Sequence, residues 1–181
     1  WSSDSHLKDT YTLELCLLDL ETGRVAASRK VDFSHYVSPQ ILGDRIYLTD
    51  GEAGTVLALN TGLETVKSYS FTPCEGNFYM GANETLYIYH WDGALKAMDL
   101  ATGEAALLLE DVQADYLFGA SECVTLSYAD PLTGAERKMA LDLTTGKMLE
   151  PELDAKYSDI SYSNGTWLCS GFEDGYTVYL G

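Results

Sequence analysis

Short runs in which apolar and polar residues alternate recur along the whole chain. Residues 45–50 read Arg-Ile-Tyr-Leu-Thr-Asp, and residues 85–91 read Thr-Leu-Tyr-Ile-Tyr-His-Trp. Because successive side chains of a strand point to opposite faces, this period of two predicts β-strands. The same criterion predicts further strands at 12–20, 39–42, 55–59, 65–71, 94–100, 123–129, 138–143 and 176–181. No stretch keeps a 3.6-residue period, so we expect few helices.

Glycine, aspartate and asparagine separate these runs where hairpins would turn. Asp92-Gly93 lies between two predicted strands, which predicts a two-residue hairpin turn with positive φ at both residues. Asn83 and Asn164 each begin an N-glycosylation sequon. Asparagine also tolerates the left-handed backbone of a turn, which is a sufficient reason for either residue.

One six-residue segment occurs four times in the same register. It reads Leu-Asp-Leu-Glu-Thr-Gly at 18–23, Leu-Ala-Leu-Asn-Thr-Gly at 57–62, Met-Asp-Leu-Ala-Thr-Gly at 98–103 and Leu-Asp-Leu-Thr-Thr-Gly at 141–146. The spacing is about 40 residues, which is typical of propeller blades, including WD40-like ones. Each period contains four predicted strands. The sequence therefore predicts an all-β fold of β-propeller blades, each with four antiparallel strands.

A four-stranded sheet cannot bury both of its faces alone, so blades stack and cover one another. We interpret residues 1–181 as a single propeller segment of about three complete blades and two partial ones. The predicted blades are 35–74, 75–113 and 114–153, and the predicted partial blades are 1–34 and 154–181. We expect a segment of a larger propeller of about six to eight blades, and a closed four-bladed ring is the alternative. Open blade faces would favour self-association.

The chain is strongly acidic, with a net charge of −17 from 28 Asp and Glu residues against 11 Lys and Arg residues. Nucleic-acid binding needs basic side chains that displace phosphate counterions, so we predict no nucleic-acid partner. Excess charge keeps a domain soluble, and it also attracts cations, either metals or basic partners. No run of about 18 apolar residues occurs, so we predict no membrane span in this chain.

The patterns that are typical of catalysis and metal binding are missing from the sequence. The three histidines, His6, His35 and His90, form no HExxH motif, and no GxSxG motif occurs. There is also no Asp-x-Asp-x-Asp-Gly calcium loop. We therefore predict no metal site, no cofactor and no catalytic residue.

The four cysteines form no CxxC pair, which argues against a zinc ribbon or a thioredoxin-like motif. Cys16, Cys123 and Cys169 lie in apolar strand-like contexts, where a buried free thiol is expected. The four residues do not identify the redox compartment.

The unit formed by a strand, Asp-Gly, and Leu-x-Ala-Leu/Met-Asp-x-x-Thr-Gly resembles the repeats of quinoprotein-like (PQQ-like) and YVTN-type β-propeller proteins of bacteria. The residues from Leu86 to Gly103 carry the resemblance most clearly, followed by 46–62 and 124–146. Members that bind the quinone typically have a tryptophan a few residues beyond the Thr-Gly turn. The corresponding stretches here lack it, namely 24–27, 104–107 and 147–150. The resemblance implies an envelope-associated or secreted binding or assembly scaffold without the quinone cofactor.

In such a blade, the turn between the second and third strands shares a rim with the connection to the next blade. This mapping places Asp50, Glu52 and Asp130 at the rim. Aromatic faces beside carboxylates suit the recognition of sugars or peptides. The residues that we predict to bind a ligand there are Tyr36, Tyr79, Trp91, Asp92, Tyr116, Tyr157 and Asp174. The alternative for the tyrosines is that their rings fill the gap between adjacent blades.

Two functions from different classes fit these observations. The first is a non-catalytic binding or assembly scaffold, whose rim engages a protein, a peptide or a glycan. The second is a propeller enzyme, a carbohydrate- or peptide-acting hydrolase or lyase, with carboxylates that converge on the central channel. The second requires at least one carboxylate with a shifted pKa. We favour the first.

Overall fold

The computed structural model describes residues 11–34, 37, 39–114, 123–150, 157–163, 166–171 and 179–180, which form five antiparallel sheets. The first sheet contains β1 (Tyr11–Asp19) and β2 (Arg24–Phe33). The second contains β3 (Gln40–Leu42), β4 (Arg45–Asp50), β5 (Thr55–Leu59) and β6 (Thr65–Ser70). The third contains β7 (Asn77–Met80), β8 (Thr85–Tyr89), β9 (Leu95–Asp99) and β10 (Ala105–Leu109). The fourth contains β11 (Val112–Ala114), β12 (Cys123–Ala129), β13 (Glu136–Asp142) and β14 (Lys147–Leu149), and the fifth β15 (Tyr157–Ser163), β16 (Thr166–Gly171) and β17 (Tyr179–Leu180).

The second, third and fourth sheets each contain four strands that pair in chain order. They are the three complete blades that the repeat predicts, and the first and fifth sheets are the partial ones. The predicted scarcity of helices is also confirmed, since the described residues include one 3-10 turn, Ala82–Glu84, and no α-helix. Strand β11 pairs with β12, so residues 112 and 113 belong to the fourth sheet, just ahead of its predicted start at residue 114.

The chain divides into two compact units, Trp1–Glu75 and Gly76–Gly181, which we call the N-terminal and C-terminal units. In the N-terminal unit, the first two sheets share one apolar core. Its members are Leu15, Phe33, Val37, Ile46, Leu48, Leu59 and Leu63. The Arg29 guanidinium donates a hydrogen bond of 2.7 Å to the Leu63 carbonyl, which joins the two sheets at the edge of this core.

In the C-terminal unit, the third and fourth sheets contribute fully buried side chains from their second and third strands. These are Leu86, Ile88 and Leu95 in the third sheet and Val124, Leu126 and Leu141 in the fourth. Each such side chain stabilises the fold by about 1.5–3 kcal/mol relative to exposure. The two sheets are joined by a hydrogen bond of 2.7 Å from the Ala82 N–H to the Leu143 carbonyl.

The repeated Asp-x-x-Thr-Gly segments form one type of turn. In each, the aspartate carboxylate accepts hydrogen bonds from the N–H groups two and three residues later, and its carbonyl accepts one from the glycine N–H. The glycines have φ of 65° to 77°, where a side chain would be strained. The turns begin at Asp19, Asp99 and Asp142.

The second sheet departs from this turn. Ala58 stands at the aspartate position of the repeat, and the turn begins instead at Asn60, whose carbonyl accepts from the Leu63 N–H at 3.0 Å, so the turn is one residue shorter. The left-handed position therefore falls on Leu63, with φ of 63°, and not on Gly62. Leu63 is buried in the core of the N-terminal unit, and this burial offsets the backbone strain.

The predicted two-residue turn at Asp92-Gly93 is wrong. The Gly93 N–H donates to the His90 carbonyl at 3.0 Å, and the His90 N–H donates to the Ala94 carbonyl at 2.9 Å. The loop therefore has three residues, and only Gly93, with φ of 87°, is left-handed. A three-residue loop of this kind ends in a left-handed residue, which glycine occupies without strain. By contrast, Asn83 is left-handed as its turn chemistry predicts, with φ of 57°.

Cys16 is exposed on β1, so the expectation that it is a buried thiol is wrong. It lies on the outward-facing side of a strand whose neighbour Leu15 faces the core. Cys123 is buried as expected, and Cys169 lies outside the residues whose side chains are described. No helix among the described residues is long and apolar enough to cross a membrane.

Candidate binding surface at the loop end of the C-terminal unit

The third and fourth sheets turn the chain at a common end. The β8–β9 turn (90–94), the β10–β11 connection (110–111) and the β12–β13 turn (130–135) all lie there, because β8, β10 and β12 run towards it. We call these three segments the loop end. It corresponds to the rim at which we predicted binding.

Backbone hydrogen bonds hold the β10–β11 connection against the β8–β9 turn. The Val112 N–H donates to the Gly93 carbonyl at 2.9 Å, and the Tyr89 hydroxyl donates to the Val112 carbonyl at 2.9 Å. A Cβ added at Gly93 would lie 3.3 Å from the Val112 oxygen and 3.4 Å from the Cα of Asp111. The two segments can therefore approach this closely because Gly93 has no side chain.

The tip of the β8–β9 turn presents an aromatic ring to solvent. Trp91 is 64% exposed, and Asp92 beside it is exposed as well. The Asp92 carboxylate accepts a hydrogen bond from the Ala94 N–H through Oδ1 at 3.1 Å. Glu110 and Asp111 of the adjoining connection are exposed, and Asp111 has a left-handed backbone with φ of 54°. The surface thus combines one large aromatic ring with three solvated carboxylates.

The β12–β13 turn adds an apolar side chain to the same end. Leu132 is 94% exposed at its tip. The turn is formed by Asp130, whose Oδ1 accepts from the Leu132 and Thr133 N–H groups at 2.8 and 3.1 Å. These hydrogen bonds hold the pKa of Asp130 below its ordinary value, against an opposing desolvation and with a further lowering by the Arg137 charge. Arg137 Nε lies 2.8 Å from Asp130 Oδ2, so this carboxylate is already paired.

A second group of polar side chains lies beside this turn. The Tyr128 hydroxyl donates to Glu150 Oε1, and Arg137 Nη1 lies 3.6 Å from Glu150 Oε2. The hydrogen bond to Glu150, with smaller effects of burial and charge, raises the pKa of Tyr128. The network joins β12, β13 and the residue after β14, and its charges are already paired.

The seven predicted binding residues are distributed as follows. Trp91 and Asp92 lie side by side at the loop end. Tyr79 lies in β7, where it is half-buried, and its pKa is raised by this burial and then by the neighbouring Tyr89. Tyr157 is the first residue of β15. Tyr36, Tyr116 and Asp174 lie outside the described residues.

The rim mapping also included Asp50, and the structure gives it a different environment. Asp50 is only 2% exposed, and its carboxylate accepts hydrogen bonds from Ser34 and Ala53. It therefore stabilises the N-terminal unit and does not face a ligand.

Sequence reasoning missed Leu132, Glu110 and Asp111. Leu132 lies in Asp130-Pro131-Leu132-Thr133-Gly134, which repeats the Asp-x-x-Thr-Gly spacing of the other turns. That spacing predicts a compact turn with its third residue at the tip, so the exposure of Leu132 could have been predicted from the sequence. The position of Glu110 and Asp111 depends on the pairing of β11 with β12, for which the three residues of β11 give little sequence signal.

Within the residues that the structure describes, no group of three or more His, Cys, Asp and Glu side chains could hold a metal ion. The shifted carboxylate pKa values in this range, at Asp19, Asp50, Asp130 and Asp142, are all lowered. In each case hydrogen bonds within a turn contribute to the lowering. These four aspartates therefore shape turns.

No protein-family model matches the chain, and no curated protein matches it. Solved structures do resemble it. The β-propeller domain of the Trilobed protease from Pyrococcus furiosus has a TM-score of 0.52 at 14% identity, over 98% of this chain and 61% of that one. Acylaminoacyl peptidase in complex with Z-Gly-Gly-Phe-chloromethyl ketone has a TM-score of 0.54 at 16% identity, over 96% of this chain and 34% of that one.

The N-terminal domain of Nup159 has a TM-score of 0.44 at 16% identity, over 87% of this chain and 46% of that one. The chain thus spans less than two thirds of the length of each of these three structures. At such identities the similarity shows the fold alone, which is that of a β-propeller.

Proposed function

We propose that the chain is a non-catalytic binding or assembly scaffold, whose loop end engages a protein, a peptide or a glycan. The observation that carries this proposal is the exposure of Trp91 at the tip of the β8–β9 turn. Tryptophan buries a large apolar area when it is covered, and it is among the residues that most often dominate binding energy at interfaces. An exposed ring on a turn held by its neighbouring connection therefore favours a contact surface.

The rigidity of the loop end supports the same function. The hydrogen bonds of Val112 to Gly93 and of Tyr89 to Val112 fix the position of the turn that carries Trp91. A surface that is ordered before binding loses less conformational entropy when its partner arrives. The loop end is thus suited to recognition without rearrangement.

The resemblance of the repeat to PQQ-like and YVTN-type units supports two finer parts of the proposal. The chain would belong to the members of that group without the quinone, and it would act outside the cytoplasm, in the envelope or as a secreted protein. Fractionation of the native cells with an antibody against the chain tests the location. Recovery of the protein in the cytoplasmic fraction would contradict it.

The binding function is tested by unbiased selection. The immobilised chain is screened against a random 12-residue peptide library and against a glycan array. We expect ligands whose affinity falls about 30-fold in Trp91→Ala, since an interface hot spot contributes about 2 kcal/mol. Leu107→Ala is the matched control, because Leu107 is a 52% exposed apolar residue on the outer strand of the same sheet. Ligands that lose affinity equally in both variants, or no ligand in either screen, would contradict the proposal.

A further inference from the structure

The loop end has a pronounced charge asymmetry around its exposed ring. Residues 90–94, 110–111 and 130–135 contain four carboxylates and no Lys or Arg. Of these, Asp130 is paired with Arg137 at 2.8 Å, so it is neutralised within the fold. Asp92, Glu110 and Asp111 remain as exposed negative charges, on the turn that carries Trp91 and on the connection next to it. His90 is the one histidine of these segments, and the nearest lysine and arginine along the chain, Lys96 and Arg137, lie within β9 and β13.

From this arrangement we propose that the loop end binds a basic peptide segment of a partner protein. An arginine or lysine side chain of the partner stacks on the face of Trp91, and Asp92, Glu110 and Asp111 accept its N–H hydrogen bonds. The inference rests on the proposed function, and it names the chemical class of the ligand at the same surface.

The combination of groups favours a cationic ligand over the other candidates. Tryptophan is the best aromatic partner for a cation, because its ring face carries a partial negative charge. Neighbouring carboxylates strengthen that attraction and supply acceptors for a guanidinium or an ammonium group. A neutral glycan could use the ring, but it would gain little from the three negative charges. An anionic ligand would be repelled by them.

The three carboxylates are exposed, and they lie on the turn that carries Trp91 or on the connection next to it. Asp92 uses Oδ1 for the Ala94 N–H, and its Oδ2 makes no hydrogen bond with the described residues. The Gly93 carbonyl accepts the Val112 N–H, which keeps Glu110 and Asp111 next to the turn that carries Trp91. The left-handed backbone of Asp111 is one that aspartate tolerates, and it fixes the path of the connection.

Leu132 extends the surface with an apolar contact. It is exposed at the tip of the turn that follows along the same end. Basic side chains in recognition segments carry aliphatic stems, and an apolar neighbour of the basic residue would contact Leu132. We therefore expect the segment to contain both a basic and an apolar residue.

The experiment starts from peptides that the whole chain selects from a random 12-residue library. We expect arginine and lysine to be enriched among them. The tightest peptide is then compared with a twin in which citrulline replaces each arginine and norleucine each lysine, by fluorescence anisotropy. The twin should bind at least about tenfold more weakly, because charge-assisted hydrogen bonds and the cation–π contact are lost together.

Two variants test the groups on the chain. Asp92→Asn with Glu110→Gln should weaken the basic peptide about tenfold at low salt, with a smaller effect at high salt where charges are screened. Glu21→Gln with Glu104→Gln is the matched control. It removes the same charge from two exposed residues, one within an Asp-x-x-Thr-Gly turn and one directly after such a turn, and it should change affinity by less than about twofold. Trp91→Leu, which keeps an apolar side chain, should weaken the peptide about fivefold through loss of the cation–π contact.

The outcomes separate the two proposals. Selected peptides that need Trp91 but bind equally well as neutral twins would overturn the basic-ligand inference and leave the binding function in place. Glycan binding through Trp91 without any peptide binding would also overturn the basic-ligand inference and leave the binding function in place. Equal losses in both double variants would show that only the overall charge matters, and would also overturn it. Ligands insensitive to Trp91 would overturn both.

Discussion

The carboxylate of Asp50 joins two segments of the N-terminal unit. Its Oδ2 accepts from the Ser34 N–H at 2.8 Å, its Oδ1 accepts from the Ala53 N–H at 2.9 Å, and the Ser34 hydroxyl lies 2.8 Å from both oxygens. Ser34 follows β2 and Ala53 lies in the β4–β5 turn, so Asp50 connects the first sheet to the second. Replacing it tests whether this connection stabilises the unit.

The expected loss follows from the hydrogen bonds. A hydrogen bond to a charged group contributes about 1.5–3 kcal/mol, and buried donors left without an acceptor add their desolvation cost. Because the donors share one carboxylate, their contributions do not simply add. We expect Asp50→Ala to lower the free energy of unfolding by about 3–5 kcal/mol, and Asp50→Asn by about 2 kcal/mol, since the amide keeps one acceptor oxygen.

The loss should depend on pH with a definite sign. Desolvation is the largest single influence and raises the pKa of Asp50, but the hydrogen bonds from Ala53, Ser34 and Glu52 together outweigh it and leave the pKa lowered. A group with a lowered pKa in the folded state stabilises the fold fully above its unfolded pKa of about 3.9. This contribution is lost as the pH falls through the folded pKa. The difference between wild type and Asp50→Asn should therefore be greatest near pH 7 and shrink below about pH 4.

Urea unfolding followed by far-UV circular dichroism measures these changes, and hydrogen exchange of residues 34–53 locates them. Asp44→Asn is the matched control, because Asp44 is an exposed aspartate of the same unit, 3.6 Å from Arg45, and should cost less than about 1 kcal/mol. A loss for Asp50→Ala no larger than that of the control would refute the reasoning. So would a loss for Asp50→Asn that is the same at pH 7 and pH 3.

Three further substitutions have defined outcomes. Gly54→Ala should lower the free energy of unfolding by about 3 kcal/mol or more, because φ is 64° and the new Cβ would overlap the Phe71 carbonyl oxygen. Gly103→Ala is the control: φ is 77° but the space around the new Cβ is open, so the same urea titration should show a loss of only about 1 kcal/mol. Asp142→Ala should lower the free energy of unfolding by about 1–2 kcal/mol, because the hydrogen bonds from the Thr144 and Thr145 N–H groups are lost. Glu136→Ala removes an exposed carboxylate as a control and should lower it by less than about 0.5 kcal/mol. Trp91→Ala should leave the thermal midpoint within about 1 °C of wild type, since an exposed ring adds little to stability, and a drop of several degrees would mean that the ring is packed in the fold.

The strands could be predicted well because their signal is local. The predicted spans 45–50, 55–59 and 123–129 coincide with β4, β5 and β12, where apolar alternation and flanking turn residues agree. The Asp-x-x-Thr-Gly spacing likewise identified three turns. Prediction failed where a single residue changes the hydrogen-bond pattern. Asn60 shortens its turn and moves the left-handed position to Leu63, and the turn after His90 has one residue more than Asp92-Gly93 implies.

The candidate surface could be predicted only in part. Trp91 and Asp92 were predicted by mapping the repeat onto the rim of a blade, and the structure places both residues in the β8–β9 turn of the loop end. The sequence does not show which aspartates are exposed, since Asp50 at the end of β4 and Asp92 in the turn after β8 both lie where a second strand ends. The Asp50 carboxylate accepts a hydrogen bond from Ser34, which lies 16 residues away in the sequence, so its burial depends on a tertiary contact. The positions of Glu110 and Asp111 follow only from the pairing of β11 with β12, which also depends on residues that are distant in the sequence.

The most direct test of the central claim is hydrogen–deuterium exchange of the whole chain, with and without a saturating ligand from the unbiased screens. The binding function at the loop end predicts protection in peptides that cover residues 90–94, 110–112 and 130–135. Little change should occur in the Asp-x-x-Thr-Gly turns of the same unit, at 99–103 and 142–146, which lie at the other end of its strands. Protection confined to those turns, with none at the loop end, would contradict the account.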